Sequence, residues 1–328
     1  MMSQVSTFHT SDGVEIAYRD TGGEGVPLVL LHGWLCNQDL FRAQVDGLRE
    51  SRRVITMDLR GHGRSEVPAF GHRISRLAAD VRELLSVLDI DYVDALGWSM
   101  GASVWFSFID LFGQSAIRRL IVVDEPSLLL DVPWMSARGD VSAGVLFDSA
   151  TVRGIVQAMD SENAAAVVSQ MFTGSFAGDV DADVRSEVLS AMQSTSATEA
   201  GRLLFDHANQ DWTDVVQRIT SPTLVVGCEG SHIDPEGLRA MTALMPDAHT
   251  VVLAPPVASS HFPFLENPDA FNQLISTFLD GSMSVPVPKV CPSDDSTAIG
   301  RELQSARGGA GSASRGGPGS GDRRSSTR

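Results

Sequence analysis

Residues 94–103, DALGWSMGAS, predict the fold of the whole chain. The pentapeptide GWSMG (97–101) follows an apolar run typical of a buried strand and precedes a helical run, ASVWFSFIDLF. A tight turn from strand to helix forces the central side chain, Ser99, outward, and only small residues beside it avoid a clash. The start of the helix then offers the backbone N–H of Met100 to a developing oxyanion. The stretch therefore predicts an exposed nucleophilic serine at the end of a strand.

Around this turn, short apolar strands alternate with amphipathic helices. The strand candidates are residues 14–20, 27–33, 53–59, 92–98, 119–125, 222–228 and 249–255. The clearest helix candidates are residues 75–90 and 268–280. Continuous Val, Leu and Ile runs are expected for strands that are buried on both faces of a parallel sheet. The alternation predicts a doubly wound α/β sheet.

Residues 128–210 interrupt the alternation, because they contain helix-like segments (144–159 and 161–172) without a strand pattern. The interval is too long for a connecting loop, so a helical cap over one edge of the sheet is expected. The core would then comprise residues 1–127 and 211–281. Residues 282–328 are rich in Gly, Ser, Pro and Arg. They are predicted to form a disordered tail, since so few apolar residues cannot offset the entropy of ordering.

Composition excludes several classes of function. The net charge of −16 argues against nucleic acid as a partner, because phosphate binding requires a basic surface. No apolar run is long enough for a membrane helix, and the N-terminal residues lack the pattern of a secretory signal. Cys36, Cys228 and Cys291 are far apart and match no metal or disulfide pattern. We expect a cytoplasmic protein without a cofactor or metal, and whether it is a homodimer stays open.

Two further segments supply groups that a nucleophilic serine needs. LLHGW (30–34) ends a strand where a second oxyanion donor is required, and the backbone N–H of Trp34 is assigned to that role. His261, in SSHFPFLENPDAF (259–271), follows the last strand candidate and precedes the last helix, so it can lie over Ser99 as a base. His232 follows the strand at 222–228 and is not set aside. The other histidines expected at the surface are His9, His72, His207 and His249.

Together these segments resemble the α/β-hydrolases, over residues from about 5 to 281. The resemblance rests on HGW, DLRGHGRS (58–65), GWSMG and a late histidine, in the order nucleophile, acid, base. It implies an eight-stranded, mostly parallel sheet with a helical cap. It also implies that DLRGHGRS, despite its Asp58, Arg60 and His62, is a structural turn.

The position of the acid distinguishes groups within this superfamily. Most relatives carry it after the strand at 222–228, where this chain has Gly227-Cys228-Glu229-Gly230, leaving Glu229 and Asp234 as nearby substitutes. LIVVDEPS (120–127) instead supplies Asp124 at the end of the preceding strand. Zearalenone lactonases and cofactor-free quinolone dioxygenases have their acid there and a similar His-Phe-Pro segment. Asp124 is therefore the predicted acid, and strand alternation predicts that Glu125 points away from His261.

The predicted function is hydrolysis of an ester or lactone in a small, largely apolar molecule through an acyl-enzyme, with Ser99, His261 and Asp124 as the triad. The predicted pocket residues are His32, Trp34, Trp98, Trp134 and Phe172. One alternative is a cofactor-independent dioxygenase, in which the His–Asp pair deprotonates a hydroxyquinolone-like heterocycle. Another is a binding protein that retains the pocket without turnover.

Overall fold

An eight-stranded sheet forms the centre of the molecule. The computed structural model describes residues 4–132, 144–176 and 180–283. The strands are β1 (Val5–His9), β2 (Glu15–Asp20), β3 (Leu28–Leu31), β4 (Val54–Met57), β5 (Val93–Trp98), β6 (Ile117–Val123), β7 (Thr223–Cys228) and β8 (Ala248–Leu253). Their order across the sheet is β1-β2-β4-β3-β5-β6-β7-β8. The pairs β1–β2 and β2–β4 are antiparallel and the other pairs are parallel, which confirms the predicted sheet.

The sequence predicted seven of these strands and missed β1. Only Phe8 is buried among the five residues of β1, which lies at the edge of the sheet. An edge strand with one buried side chain shows neither a continuous apolar run nor a regular alternation, so its sequence carries little signal.

Helices cover both faces of the sheet. They are α1 (Arg42–Leu48), α2 (Ile74–Val87), α3 (Met100–Phe112), α4 (Ser149–Met159), α5 (Ala164–Gly174), α6 (Ala182–Gln193), α7 (Ala197–Ala208), α8 (Thr213–Val216), α9 (Pro235–Leu244), α10 (Pro263–Glu266) and α11 (Pro268–Leu279). Every residue of β3, β4, β5 and β7 is buried, so both sides of these strands need an apolar partner. Within β3, Val29 packs into the same core as α2 and α3, whereas Leu28 packs into the core that contains α1 and α11.

In the described part of residues 128–210, the interval predicted to be a cap, the chain forms the four helices α4 to α7. Hydrogen bonds tie α7 to the core: Trp34 Nε1 donates to Ala200 O at 2.8 Å, and Ile74 N donates to Asp206 Oδ2 at 2.8 Å. The domain boundaries at residues 128 and 210 remain a prediction. Most of the predicted tail, from residue 284 onward, lies outside the described residues.

Candidate active site

Ser99 occupies a tight turn between β5 and α3. Its backbone has φ 52° and ψ −131°, a conformation that is uncommon for a residue other than glycine. A Cβ atom on Gly97 would lie 2.4 Å from Ala102 Cα, and one on Gly101 would lie 2.2 Å from Leu31 O. The turn can therefore form only with glycine at both positions. The close approach of Gly101 also brings the end of β3 against the start of α3.

The segment after β3 lies directly beside the serine. A Cβ atom on Gly33 would lie 3.1 Å from Ser99 Cβ, so the backbone there passes close to the nucleophile. The next residue is Trp34, and Leu35 turns the chain with φ 62°. Met100 is the first residue of α3, whose first N–H groups have no acceptor within the helix. The amides of Trp34 and Met100 thus belong to the two backbone segments that flank Ser99.

The structure brings His261 and Asp124 together. His261 Nδ1 lies 2.7 Å from Asp124 Oδ2, and both side chains are almost fully buried. Asp124 has φ 54°, so the chain leaves the strand there and β6 ends one residue earlier, at Val123. The loop that carries His261 is held by Trp98, whose Nε1 donates to His261 O at 2.8 Å. Because Nδ1 is hydrogen-bonded to the carboxylate, Nε2 is the ring nitrogen that can accept a proton from a hydroxyl.

The alternative acids have other roles. Asp234 is exposed and caps α9, accepting a hydrogen bond from Glu236 N at 2.8 Å. Glu229 is exposed, and its carboxylate has no hydrogen-bond partner among the described residues. Gly227 stands close to the acid, since a Cβ atom on it would lie 3.6 Å from Asp124 Oδ1. Asp124 is therefore the carboxylate at His261.

Sequence reasoning missed Ser231. Its hydroxyl donates a hydrogen bond to Asp124 Oδ2, the same oxygen that His261 contacts. Ser231 lies on the loop after β7, so this loop contributes a donor to the acid and not the acid itself. The departure from G-x-x-D at residues 227–230 was the one signal that this loop had changed its role.

His232, which the sequence left open, lies against the proposed base. Its ring centroid is 4.5 Å from that of His261, and it lines the cavity above Ser99. The imidazole therefore contacts the site from the side of the β7 loop.

Burial determines the protonation of the His261–Asp124 pair. Burial lowers the pKa of His261 to about 4, so the imidazole is uncharged near neutral pH and can accept a proton. The same burial raises the pKa of Asp124 to about 7, and the hydrogen bond from Ser231 opposes that rise. Ser231 thus favours the ionised form of the carboxylate.

Glu125 and His207 form a buried pair that the sequence did not predict. Because the chain leaves the strand at Asp124, strand alternation does not set the direction of Glu125. Its Oε1 accepts hydrogen bonds from Ser103 Oγ at 2.7 Å and His207 Nε2 at 2.8 Å. Glu125 does not contact Nδ1 of His261, yet it lines the same cavity. His207, expected at the surface, is buried, and so is His72, whose Nε2 lies 2.7 Å from Pro68 O.

A cavity of about 80 Å³ lies over Ser99 and His261. Trp34 and Trp98 line it as predicted from the sequence, together with Leu129, Leu146, Phe147, Met171, Met192, Leu204 and Phe262. It adjoins a larger pocket of about 580 Å³, and the two share Leu146, Phe147, Met171, Ser175 and His232. Most of this lining is apolar, so the site favours apolar ligands.

Two predicted pocket residues do not line the cavity. His32 is fully buried beneath the turn: its Nε2 accepts a hydrogen bond from Leu59 N at 3.0 Å, and its Nδ1 lies 2.8 Å from Gly33 O. It therefore supports the backbone and does not face a ligand. Phe172 packs edge-to-face on Phe176 at 5.1 Å. Trp134 falls outside the described residues.

DLRGHGRS (58–65) is held by hydrogen bonds within the segment and to residues outside it. Asp58 accepts from the backbone N–H groups of Gln38 and Arg64, at 2.8 and 2.9 Å. Arg60 is fully buried and forms a two-point ion pair with Asp80. These contacts fix a turn, and none of residues 58–65 lines the cavity over Ser99.

Within residues 4–132, 144–176 and 180–283, no group of three His, Cys, Asp or Glu side chains is arranged to hold a metal ion. The helices in the same ranges are all too short or too polar to cross a bilayer.

Comparison with known proteins identifies the family. The model of the family described as "alpha/beta hydrolase fold" matches residues 26–268. The chain belongs to the α/β-hydrolases. The matched range of this α/β-hydrolase contains the serine turn and the loop after β3.

Individual similarities are moderate in sequence and close in fold. This α/β-hydrolase is 29% identical over 247 residues to a non-heme chloroperoxidase of Burkholderia pyrrocinia, covering 72% of this chain and 85% of that protein. The crystal structure of a bromoperoxidase from Bacillus anthracis matches with TM-score 0.75 and 23% identity, over 84% of this chain and all of that one. An esterase from Exiguobacterium antarcticum matches with TM-score 0.74 and 21% identity, over 85% of this chain and all of that one. The two structural matches show the fold alone.

Ser231→Ala should shift the pH dependence of catalysis. The hydroxyl lowers the pKa of Asp124, so its loss raises the proton affinity of the Asp124–His261 pair. The acidic limb of the kcat/KM profile should then move to higher pH, with activity at alkaline pH reduced far less. The measurement is kcat/KM for an aryl ester from pH 4 to 9. An acidic limb that stays in place or moves to lower pH would contradict a positioning role for Ser231.

Proposed function

We propose that this protein is a serine hydrolase that cleaves a carboxylic ester or lactone through an acyl-enzyme. The observation that supports this most strongly is the Asp124–His261 hydrogen bond of 2.7 Å beside a serine held at φ 52°. Ser99 and His261 open to one largely apolar cavity, so a bound carbonyl would meet both. Esterases among the proteins of similar fold are consistent with the proposal.

The chemistry follows from the roles of the groups. Ser99 Oγ attacks the carbonyl carbon while Nε2 of His261 takes its proton. The carbonyl oxygen becomes an oxyanion, which the N–H groups of Trp34 and Met100 stabilise. His261 then returns the proton to the leaving alkoxide. Water attacks the acyl-enzyme by the same route and releases the acid.

The protonation state of His261 suits these reaction steps. Uncharged near neutral pH, His261 can accept the serine proton, and Asp124 stabilises the imidazolium that forms. The buried carboxylate also holds the ring in the tautomer with the proton on Nδ1.

The substrate proposed is small and largely apolar, as predicted from the sequence. The cavity next to Ser99 accommodates the scissile group, and the adjoining pocket offers space for a larger apolar substituent. Specificity for an individual ester or lactone depends on the residues of the cap.

The proposal is tested by covalent labelling and a substrate panel. A fluorophosphonate should label one residue, and mass spectrometry of the digested protein should place the adduct on the peptide that contains Ser99. Aryl esters and lactones of graded size should include at least one that is hydrolysed with saturation kinetics. A protein that is neither labelled nor active on the panel would contradict the proposal.

A further inference from the structure

A second carboxylate–imidazole pair lies in the same cavity as the first. Glu125, adjacent in sequence to Asp124, bonds to His207 on α7 and to Ser103 on α3. Trp212 completes the cluster, since its Nε1 donates to Ser103 Oγ at 3.1 Å. Glu125 and His207 both line the cavity above Ser99. The proposed mechanism uses neither of them.

One oxygen of this carboxylate is available to a ligand. Both donors reach Oε1, and no donor in the described part of the chain reaches Oε2. The residue is only 2% exposed, so water does not solvate it freely. Oε2 is not among the fully enclosed unpaired atoms, so it faces the cavity, where hydration is limited and a ligand can donate a hydrogen bond to it.

Much of the cavity that Glu125 lines is apolar. Its lining includes Leu129, Leu146, Phe147, Leu204 and Ile233, which carry no side-chain donors, and none of its polar side chains donates a hydrogen bond to Oε2 in the described residues. In such surroundings a hydrogen bond to a charged group is stronger than in water. A ligand with one donor placed at Glu125 would therefore be distinguished from an equally large apolar ligand.

The cluster lies near the proposed nucleophile. Ser103, which donates to Glu125, follows Ser99 by four residues at the start of α3. Four residues advance about 6 Å along a helix axis, so Ser103 lies about one helical turn beyond Ser99. Both Ser99 and Glu125 line the same cavity, so one ligand can meet both side chains.

We propose that Glu125, oriented by His207 and Ser103, recognises a hydroxyl group of the substrate. The substrate class is then an ester or lactone with an otherwise apolar body and a hydroxyl group that reaches Glu125 when the carbonyl meets Ser99. This inference rests on the proposed hydrolase function. Glu125 is a specificity-determining residue, and His207 positions it from the cap.

Phenyl acetates that differ in one substituent provide the test. The 3- and 4-hydroxyphenyl acetates carry a donor, whereas the 3- and 4-methoxyphenyl acetates carry only an acceptor at the same place. Each kcat/KM is divided by the rate constant for hydroxide-catalysed hydrolysis, which removes leaving-group effects. In the wild type, the better hydroxyl isomer should exceed its methoxy counterpart by at least about tenfold, because a methoxy group leaves the buried oxygen unpaired.

Glu125→Gln should reduce that preference at least about tenfold. Ser103 and His207 fix the amide oxygen at the position of Oε1, so the NH₂ group replaces Oε2 and donates to a methoxy oxygen. Phe205→Ala is the matched control, because Phe205 lies on the same helix as His207 but is 51% exposed. Its hydroxyl preference should equal that of the wild type.

Binding measurements separate this inference from the hydrolase proposal. Affinities of the same four compounds for Ser99→Ala are measured by calorimetry, which requires no turnover. A hydroxyl preference in binding that Glu125→Gln removes supports the inference even if Ser99 proves not to be a nucleophile. If the wild type shows no hydroxyl preference, or Glu125→Gln lowers only the melting temperature, the cluster merely anchors α7 and the inference is overturned.

Discussion

Replacing Ser99 with alanine should lower kcat/KM for an ester or lactone by at least a thousandfold. The hydroxyl is the proposed nucleophile, and loss of such a group in a serine protease costs about six orders of magnitude in kcat. The fold should persist for two reasons. Alanine and serine both carry a Cβ, so the substitution adds no strain to a backbone held at φ 52°, and Ser99 Oγ makes no hydrogen bond in the described structure. Activity is measured together with the melting temperature, which should change by no more than a few degrees.

The same variant separates the alternatives for this site. Fluorophosphonate labelling should disappear with the hydroxyl. If Ser99→Ala retains more than about a tenth of wild-type activity, covalent catalysis is wrong. Proton abstraction by the His261–Asp124 pair, as in a cofactor-independent dioxygenase, would then be the better account.

Replacing Asp124 with asparagine should lower turnover by about four orders of magnitude, as the equivalent change does in a serine protease. The substitution keeps the shape of the side chain but removes the charge that stabilises imidazolium. An amide NH₂ facing Nδ1 also favours the opposite tautomer of His261, which leaves Nε2 protonated and unable to accept from Ser99. Steady-state kinetics on the best substrate of the panel measures the loss.

The controls for Asp124 are chosen from the loop after β7. Asp234→Asn should be nearly neutral, because asparagine caps a helix as well as aspartate does. Glu229→Gln should also be nearly neutral, since the side chain is exposed. If Asp124→Asn stays active and Asp234→Asn is inactive, the triad acid is Asp234 and the assignment of Asp124 is wrong. Glu125→Gln cannot serve as a neutral control, because Glu125 lines the cavity.

The fold could be predicted largely from local sequence. Strands buried on both faces must be apolar throughout, so β3 and β5 were evident from composition, as was the glycine-flanked serine between β5 and α3. The errors arose where the hydrophobic pattern is weak or the backbone turns. The strand β1 was missed because only one of its residues is buried, and the predicted strand at 119–125 was too long because Asp124 adopts φ 54° and ends β6 at Val123.

The predicted site residues also divide into those that the structure brings together and those that it does not. Trp34, Trp98, Ser99, Asp124 and His261 come together, and each follows or ends a strand that the sequence indicated. His32 and Phe172 lie outside the cavity, because whether a side chain near the site faces the ligand depends on packing from other elements.

The sequence by itself determined seven of the strands, the serine turn and the placement of His261 between a strand and a helix, because each depends on residues within a few positions of one another. Only the tertiary structure decided which groups meet across long separations. Ser231 reaches Asp124 across 107 positions, and His207 reaches Glu125 across 82. Such pairs leave no pattern in the local sequence. A buried polar side chain needs a hydrogen-bond partner, and when that partner is distant in the chain only the folded structure shows which residue it is. The carboxylates of Asp124 and Glu125 are adjacent in the chain, yet the fold directs one to His261 and the other to His207.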